Sequence, residues 1–161
     1  MSSASNDSVI KLLQQLIATP SFSREESNTA DVLATFLSQH GVNVRRTKNN
    51  VWTTNVNFDP SKPTLLLNSH HDTVKPNEGY TRNPFLPSLE DGKLYGLGSN
   101  DAGGALVSLI ATFLFFNTKP RLKWNLVLVA SAEEDRPPRL RRSICRPKRR
   151  AIARSRASSC A

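Results

Sequence analysis

Five residues of this 161-residue chain have the types and placing to hold and use a metal ion: His70, Asp72, Asp101, Glu133 and Glu134. His70 and Asp72 lie in "LLLNSHHDTV" (65–74), where an apolar run ends in two histidines. A histidine can bind a metal through one ring nitrogen while a nearby carboxylate orients the ring through the other. The same cluster also suits a polar strand end at the start of a loop. Asp101 lies in "LYGLGSNDAGGALVSL" (94–109), with Gly96, Gly98, Gly103 and Gly104 around it. Glycines permit unusual backbone angles and close approach, so the chain can fold tightly around that carboxylate. A phosphate-binding loop fails here, because Asp101 takes the place of the third glycine and repels phosphate. Asp101 as the N-cap of the following helix is the simpler alternative. Glu133 and Glu134 close the apolar run "NLVLVASAEED" (125–135). Neighbours on extended backbone point opposite ways, so one glutamate can face a metal and the other a water. A solvated charge run is the other reading.

Each group alone is ambiguous, but the ordered set is informative. These are ligand types for zinc. They fall at strand ends or just before a helix, where α/β sheets carry their sites.

The elements that must position them follow from the apolar periodicity. "DSVIKLLQQLIA" (7–18) predicts a helix. A second helix runs to about His40, with Ala30, Leu33, Phe36 and Leu37 on one face and Gly41 as its stop. Ser23 and Glu26 predict a capping box at its start. Residues 42–58 predict two short strands around the turn Asn49-Asn50. "PTLLLNS" (63–69) and "RLKWNLVLVAS" (121–131) predict strands buried on both faces. Residues 75–94 predict loop, with a turn at Asp91-Gly92, and 103–117 a buried helix. Helices alternating with buried strands predict an α/β sheet domain.

Composition divides the chain in two. The formal charge is +9, yet all 13 acidic residues lie in 1–135. Residues 136–161 hold 10 of the 22 Lys and Arg, which leaves 12 bases against 13 acids, a net of −1, in the front. Both cysteines, Cys145 and Cys160, are also in the tail, so the front has no disulfide framework. The start, "MSSASNDS", has neither the basic nor the apolar part of a secretory signal. The apolar stretch 105–116 has 12 residues, against the roughly 20 of a membrane span. A soluble, cytoplasmic protein is the expectation. The tail, rich in Arg, Pro and Ser, reads as disorder.

Three motifs together resemble one family. His70-His71-Asp72-Thr73-Val74 meets H-x-D-x-V, Gly96 to Gly104 meets G-x-G-x-x-D followed by glycines, and Glu133-Glu134 follows its apolar strand. In order and spacing, residues 7–135 resemble the N-terminal part of the zinc-dependent amidohydrolases and exopeptidases. That family includes acetylornithine deacetylase, succinyl-diaminopimelate desuccinylase, the aminoacylases and glutamate carboxypeptidase. The resemblance implies part of an aminopeptidase-like catalytic domain, with a mixed central sheet flanked by helices. It implies that His70 binds one of two zinc ions, for which cobalt can substitute, and that Asp72 orients its ring. Asp101 would bridge the two ions and Glu134 would bind the second. Glu133 would act as the general base, taking a proton from the attacking water and returning it to the leaving amine. The pattern selects His70 over His71 as ligand.

The implied substrate is a small N-acyl amino acid. Deacetylation of acetylornithine, a step of arginine biosynthesis, leads; a dipeptidase or an N-succinyl amino-acid desuccinylase is the alternative. Neither a membrane nor nucleic acid is an expected partner.

Two departures from the family pattern stand out. Gly103 replaces a frequent lysine, which is no ligand. More importantly, no histidine follows His71 and no acid follows Asp135. The family's further carboxylate, its final histidine and its lid or dimerisation domain are therefore not met, and the homodimer of intact members is not expected. Two protein ligands per zinc predict weak metal binding and no turnover by these 161 residues. Residues 1–135 read as the front of a catalytic domain. Residues 136–161 read as a basic tail, or as an out-of-frame translation that begins one residue past the acidic pair. The rival is an inactive fragment whose tail binds nucleic acid. That tail has no aromatic residue for stacking on bases.

Overall fold

A four-stranded mixed sheet organises the chain in a computed structural model that describes residues 6–133. Glu134 and the whole of the basic tail lie outside the described residues. In chain order the elements are helices α1 (Asn6–Ala18) and α2 (Ser27–Gln39), and strands β1 (Arg45–Thr47), β2 (Asn50–Thr54), β3 (Thr64–His70), β4 (Ser88–Glu90) and β5 (Lys93–Tyr95). Helix α3 (Gly104–Asn117) and strand β6 (Asn125–Ser131) follow. The sheet order is β1-β2-β6-β3. β6 pairs parallel to β3 and antiparallel to β2, so the expected mixed α/β sheet is present.

The helices form where the apolar spacing places them. Leu12 and Ile17 of α1 are buried, as are Ala30, Leu33, Phe36 and Leu37 of α2. Gly41, at φ 74°, ends α2 in a Schellman motif. The Val42 N–H donates to the Leu37 carbonyl at 3.1 Å and the Gly41 N–H to Ser38 at 2.9 Å. Val42 and Leu37 then meet in the core. That core joins α1, α2 and α3 to one face of the sheet, through Leu126, Leu128 and Ala130 of β6. By length and composition Ser99–Asn117 could cross a membrane. Its apolarity is accounted for by Leu106, Val107, Ile110, Phe113 and Leu114, which pack into this core.

Several expectations need correcting. The turn between β1 and β2 is one residue early, at Lys48-Asn49, with Lys48 at φ 56°. The segment expected to be loop contains a hairpin, β4–β5, closed by Asp91-Gly92. Both turn residues have positive φ, at 50° and 74°, which matches the right-handed twist of the flanking strands. β6 begins at Asn125, four residues later than the apolar pattern suggested. β3 is not buried on both faces: Leu65 is 50% and Leu66 48% exposed. Among the described residues β3 pairs only with β6, so it forms an edge of the sheet.

Candidate metal centre

The parallel pairing of β3 and β6 brings their C-terminal ends together, with His70 opposite Ser131. The histidine motif and the end of β6 that leads to Glu133, about sixty residues apart in sequence, therefore lie at one end of the sheet. The turn Ser99–Gly103 adds Asp101. His70, Asp72 and Asp101 border a cavity of about 470 Å³, whose lining also includes Tyr80, Leu97 and Asn100; Glu133 is not part of that lining.

The turn depends on two glycines. Gly98 has φ 77°, and a Cβ there would lie 2.6 Å from Thr73 Cγ2. A Cβ on Gly103 would lie 2.6 Å from the Gly98 carbonyl oxygen, to which the Gly103 N–H donates at 2.9 Å. The glycines thus let the chain close around Asp101, as the sequence suggested. Asp101 is not the N-cap of α3, however. Its backbone is extended (φ −117°, ψ 98°), the helix has no side-chain cap, and its side chain is 90% exposed to the cavity side. The alternative of a simple capping residue is overturned.

His70 is held from both sides. Its Nδ1 lies 3.1 Å from the Asp72 carbonyl and 3.3 Å from Asp72 Oδ1. Both are acceptors, so Nδ1 carries the proton and donates. Asp72 itself is buried and accepts the Ser23 hydroxyl on Oδ2 at 2.6 Å. On the other side, His70 Nε2 lies 3.2 Å from Asp101 Oδ1. With Nδ1 protonated, a neutral ring presents a lone pair at Nε2, directly towards a second lone pair on Asp101. Something positive must sit between them: a ring proton or a cation. Nitrogen and oxygen ligands of one tetrahedral zinc, at 2.0–2.2 Å from it, are roughly 3.3–3.5 Å apart. The observed separation is close to that edge. The donor types and spacing therefore fit two ligands of a metal shell. Among the described residues no group of three His, Cys, Asp or Glu could hold an ion.

His71 has a different role, although it is the next residue. It is buried, with Nδ1 2.9 Å from Thr29 Oγ1 and Nε2 3.0 Å from the Asn49 carbonyl. Burial pushes its pKa below the ordinary histidine value. The Asn49 carbonyl can only accept, so Nε2 carries the proton of the neutral ring, and the one Thr29 hydroxyl proton is shared between Nδ1 and the Glu26 carbonyl, 3.1 Å from the same oxygen. His71 is thus a core histidine, and His70 is the residue that faces the cavity.

Glu133 lies two residues past the end of β6, and its φ is 59°. The expectation that the glutamates alternate on extended backbone does not hold there, because the chain has already left the strand. Its N–H donates to Glu26 Oε1 at 3.2 Å.

The capping box is also overturned. Ser23 and Glu26 do not bond one another across the start of α2, which has no side-chain cap. They turn instead to Asp72 and Glu133, 49 and 107 residues away. The loop that carries them is stitched to the His-Asp segment, with the Thr73 N–H donating to the Ser21 carbonyl at 2.8 Å. Sequence reading missed this role. The spacing of Ser23 and Glu26 was its only trace, and nothing local in it points to partners so distant.

Comparison with known proteins agrees with this geometry. Residues 66–143 match the model of peptidase family M20/M25/M40. A succinyl-diaminopimelate desuccinylase of Blochmanniella floridana is 29% identical over 135 residues, covering 79% of this chain and 35% of that protein. An acetylornithine deacetylase of Edwardsiella ictaluri is 34% identical over 140 residues, covering 80% of this chain and 36% of that protein. Among solved structures, an M20 family metallo-carboxypeptidase of Sulfolobus solfataricus superposes with a TM-score of 0.64 at 27% identity, covering 79% of this chain and 31% of that one. The chain spans about a third of the length of these relatives. By its motifs, its sheet and these likenesses, the chain belongs to peptidase family M20/M25/M40, of whose domain it carries the N-terminal part.

Proposed function

We propose that these residues form the N-terminal share of a two-zinc site that hydrolyses the amide bond of a small N-acyl amino acid. The observation that supports this most is the placing of His70 between a buried orienting carboxylate and a cavity-facing one. Asp72 accepts the Nδ1 proton of His70, which turns the Nε2 lone pair towards Asp101. Asp101 supplies the carboxylate beside it, and Glu134 completes the proposed donor set from this chain. When bound, zinc supplies Lewis acidity, polarising a substrate carbonyl and making water a nucleophile near neutral pH. Glu133 is the proposed general base, taking a proton from that water and passing it to the departing amine.

The names of the relatives supply two substrates to test first, N-succinyl-diaminopimelate and N-acetylornithine. A cytoplasmic setting belongs to the same proposal. We further propose that residues 136–161 are read out of frame. The DNA across codons 131–143 tests this, and another frame that continues with acidic and histidine ligands is the expected finding. A chain restored to that frame is expected to release free amine from one of the two substrates, and Glu133→Gln to lower its rate by about a hundredfold or more. Turnover by the purified 161-residue chain would contradict the reading that further ligands are needed. A restored chain that binds zinc but cleaves neither substrate would contradict the assignment of substrate class.

A further inference from the structure

Glu26 is fully buried, with 0% of its surface exposed, at the N-terminal end of α2. Burying a carboxylate is costly unless its oxygens are matched by donors. Three N–H donors match them. Oε1 accepts the backbone N–H of Arg24 at 2.7 Å and that of Glu133 at 3.2 Å. Oε2 accepts Asn49 Nδ2 at 2.8 Å. Arg24 is itself in the left-handed region, at φ 81°, so the loop is folded back to present its N–H to Glu26. The start of a helix also favours a negative group. None of these contacts reaches the cavity. What they reach is the main chain of Glu133, at the point where it leaves β6 with a positive φ that a glutamate rarely adopts.

We propose that Glu26 is a positioning residue: it pins the backbone of Glu133 in its left-handed conformation and so aims the Glu133 side chain. The functional consequence rests on the reading of Glu133 as the base; the structural claim does not. Asn49 ties the device to the core, because its carbonyl accepts the His71 ring while its side chain supports Glu26. One buried carboxylate thereby links the loop before α2, the β1–β2 turn and the end of β6.

The test is residue-resolved amide hydrogen exchange on the 161-residue chain, read at Glu133 and at Leu128 within β6, together with the carbon chemical shifts of Glu133. Glu26→Ala removes both acceptor oxygens. Exchange at Glu133 is expected to rise about tenfold, the loss of one net hydrogen bond, with Leu128 changing by less than about twofold. The Glu133 carbon shifts are expected to leave their left-handed values. Should the alanine variant not fold, Glu26→Gln carries the test. It sets an amide –NH₂ against Asn49 Nδ2 and is expected to show a smaller effect of the same kind. Combining it with Asn49→Asp supplies an acceptor for that –NH₂ and is expected to return Glu133 to wild-type exchange. Exchange that rises equally at Leu128 and Glu133 would reduce Glu26 to a general stabiliser and overturn the proposal. So would an unchanged Glu133 in the glutamine variant. Neither result depends on zinc, so a failure here is distinct from a failure of the metal site.

Discussion

β3 and β6 are both seven-residue strands with an unbroken apolar run inside them, Leu65–Leu67 and Leu126–Ala130, but the fold treats them differently. β6 lies between β2 and β3, with Asn125, Leu126, Leu128 and Ala130 buried. β3 has one partner among the described residues and leaves Leu65 and Leu66 half exposed. Apolar composition thus reports what a strand can bury, not what it does bury. Place in the sheet decides the rest. The two strands are alike only at their C-terminal ends, where both hand over to candidate site residues.

Truncation of one leucine in each strand separates them most strongly. Leu128 is 1% exposed and packs in the core. Leu128→Ala is expected to cost about 2–5 kcal/mol of unfolding free energy in urea titration, the range for a fully buried leucine. Leu66→Ala is expected to cost less than about 1 kcal/mol, because half of that side chain is already in water. Equal costs would show that β3 is as buried as β6.

Next in size is the anchor of β6. Asn125 is buried, accepts the Asp59 N–H on Oδ1 and donates from Nδ2 to the carbonyls of Asp59 and Lys62. Asn125→Ala strands those part-buried backbone groups and is expected to cost about 1–3 kcal/mol in the same titration. A cost near zero would mean that β6 starts where its hydrophobic residues start, without this anchor.

A third test concerns the open edge. Exposed apolar edge strands promote association, so the chain is expected to self-associate through β3, and Leu65→Ser with Leu66→Thr to shift sedimentation towards monomer with little change in stability. Unchanged self-association would move the sticky surface elsewhere.

The smallest expected effect is a pH dependence from His71. Its folded pKa is depressed by burial, so the folded state prefers the neutral ring. The unfolded chain binds the proton more readily, with an ordinary value of 6.5. The contribution is therefore complete above about pH 6.5 and is lost as pH falls towards the folded value. The urea midpoint is expected to decline below that pH in the wild type and to decline less steeply in His71→Gln. Parallel slopes would remove His71 as the source.

Much of the fold was legible in the sequence because it is written locally. The apolar faces of α1 and α2, the stop at Gly41 and the Asp91-Gly92 turn each depend on a few neighbouring residues. So does the His70–Asp72 pair, two residues apart. What was misread depends on partners far along the chain. Ser23 and Glu26 have the spacing of a capping box, yet their oxygens serve Asp72 and Glu133. Asp101 precedes a helix as a cap would, yet its turn, closed by Gly98 and Gly103, presents it to His70. Such choices are made when the sheet assembles, and no window of ten residues contains them.

The adjacent histidines at the end of β3 have opposite tasks under the proposed function, His70 as a metal donor and His71 as a core residue. The most direct test is zinc titration of the chain, followed by nuclear magnetic resonance at both imidazole rings. The expected result is a saturable change at the His70 ring and the Asp101 carboxylate, weak because the described residues bring together few ligands, with the His71 ring unaltered and the response abolished in His70→Ala. A response at His71, or none at His70 at millimolar zinc, would contradict the account.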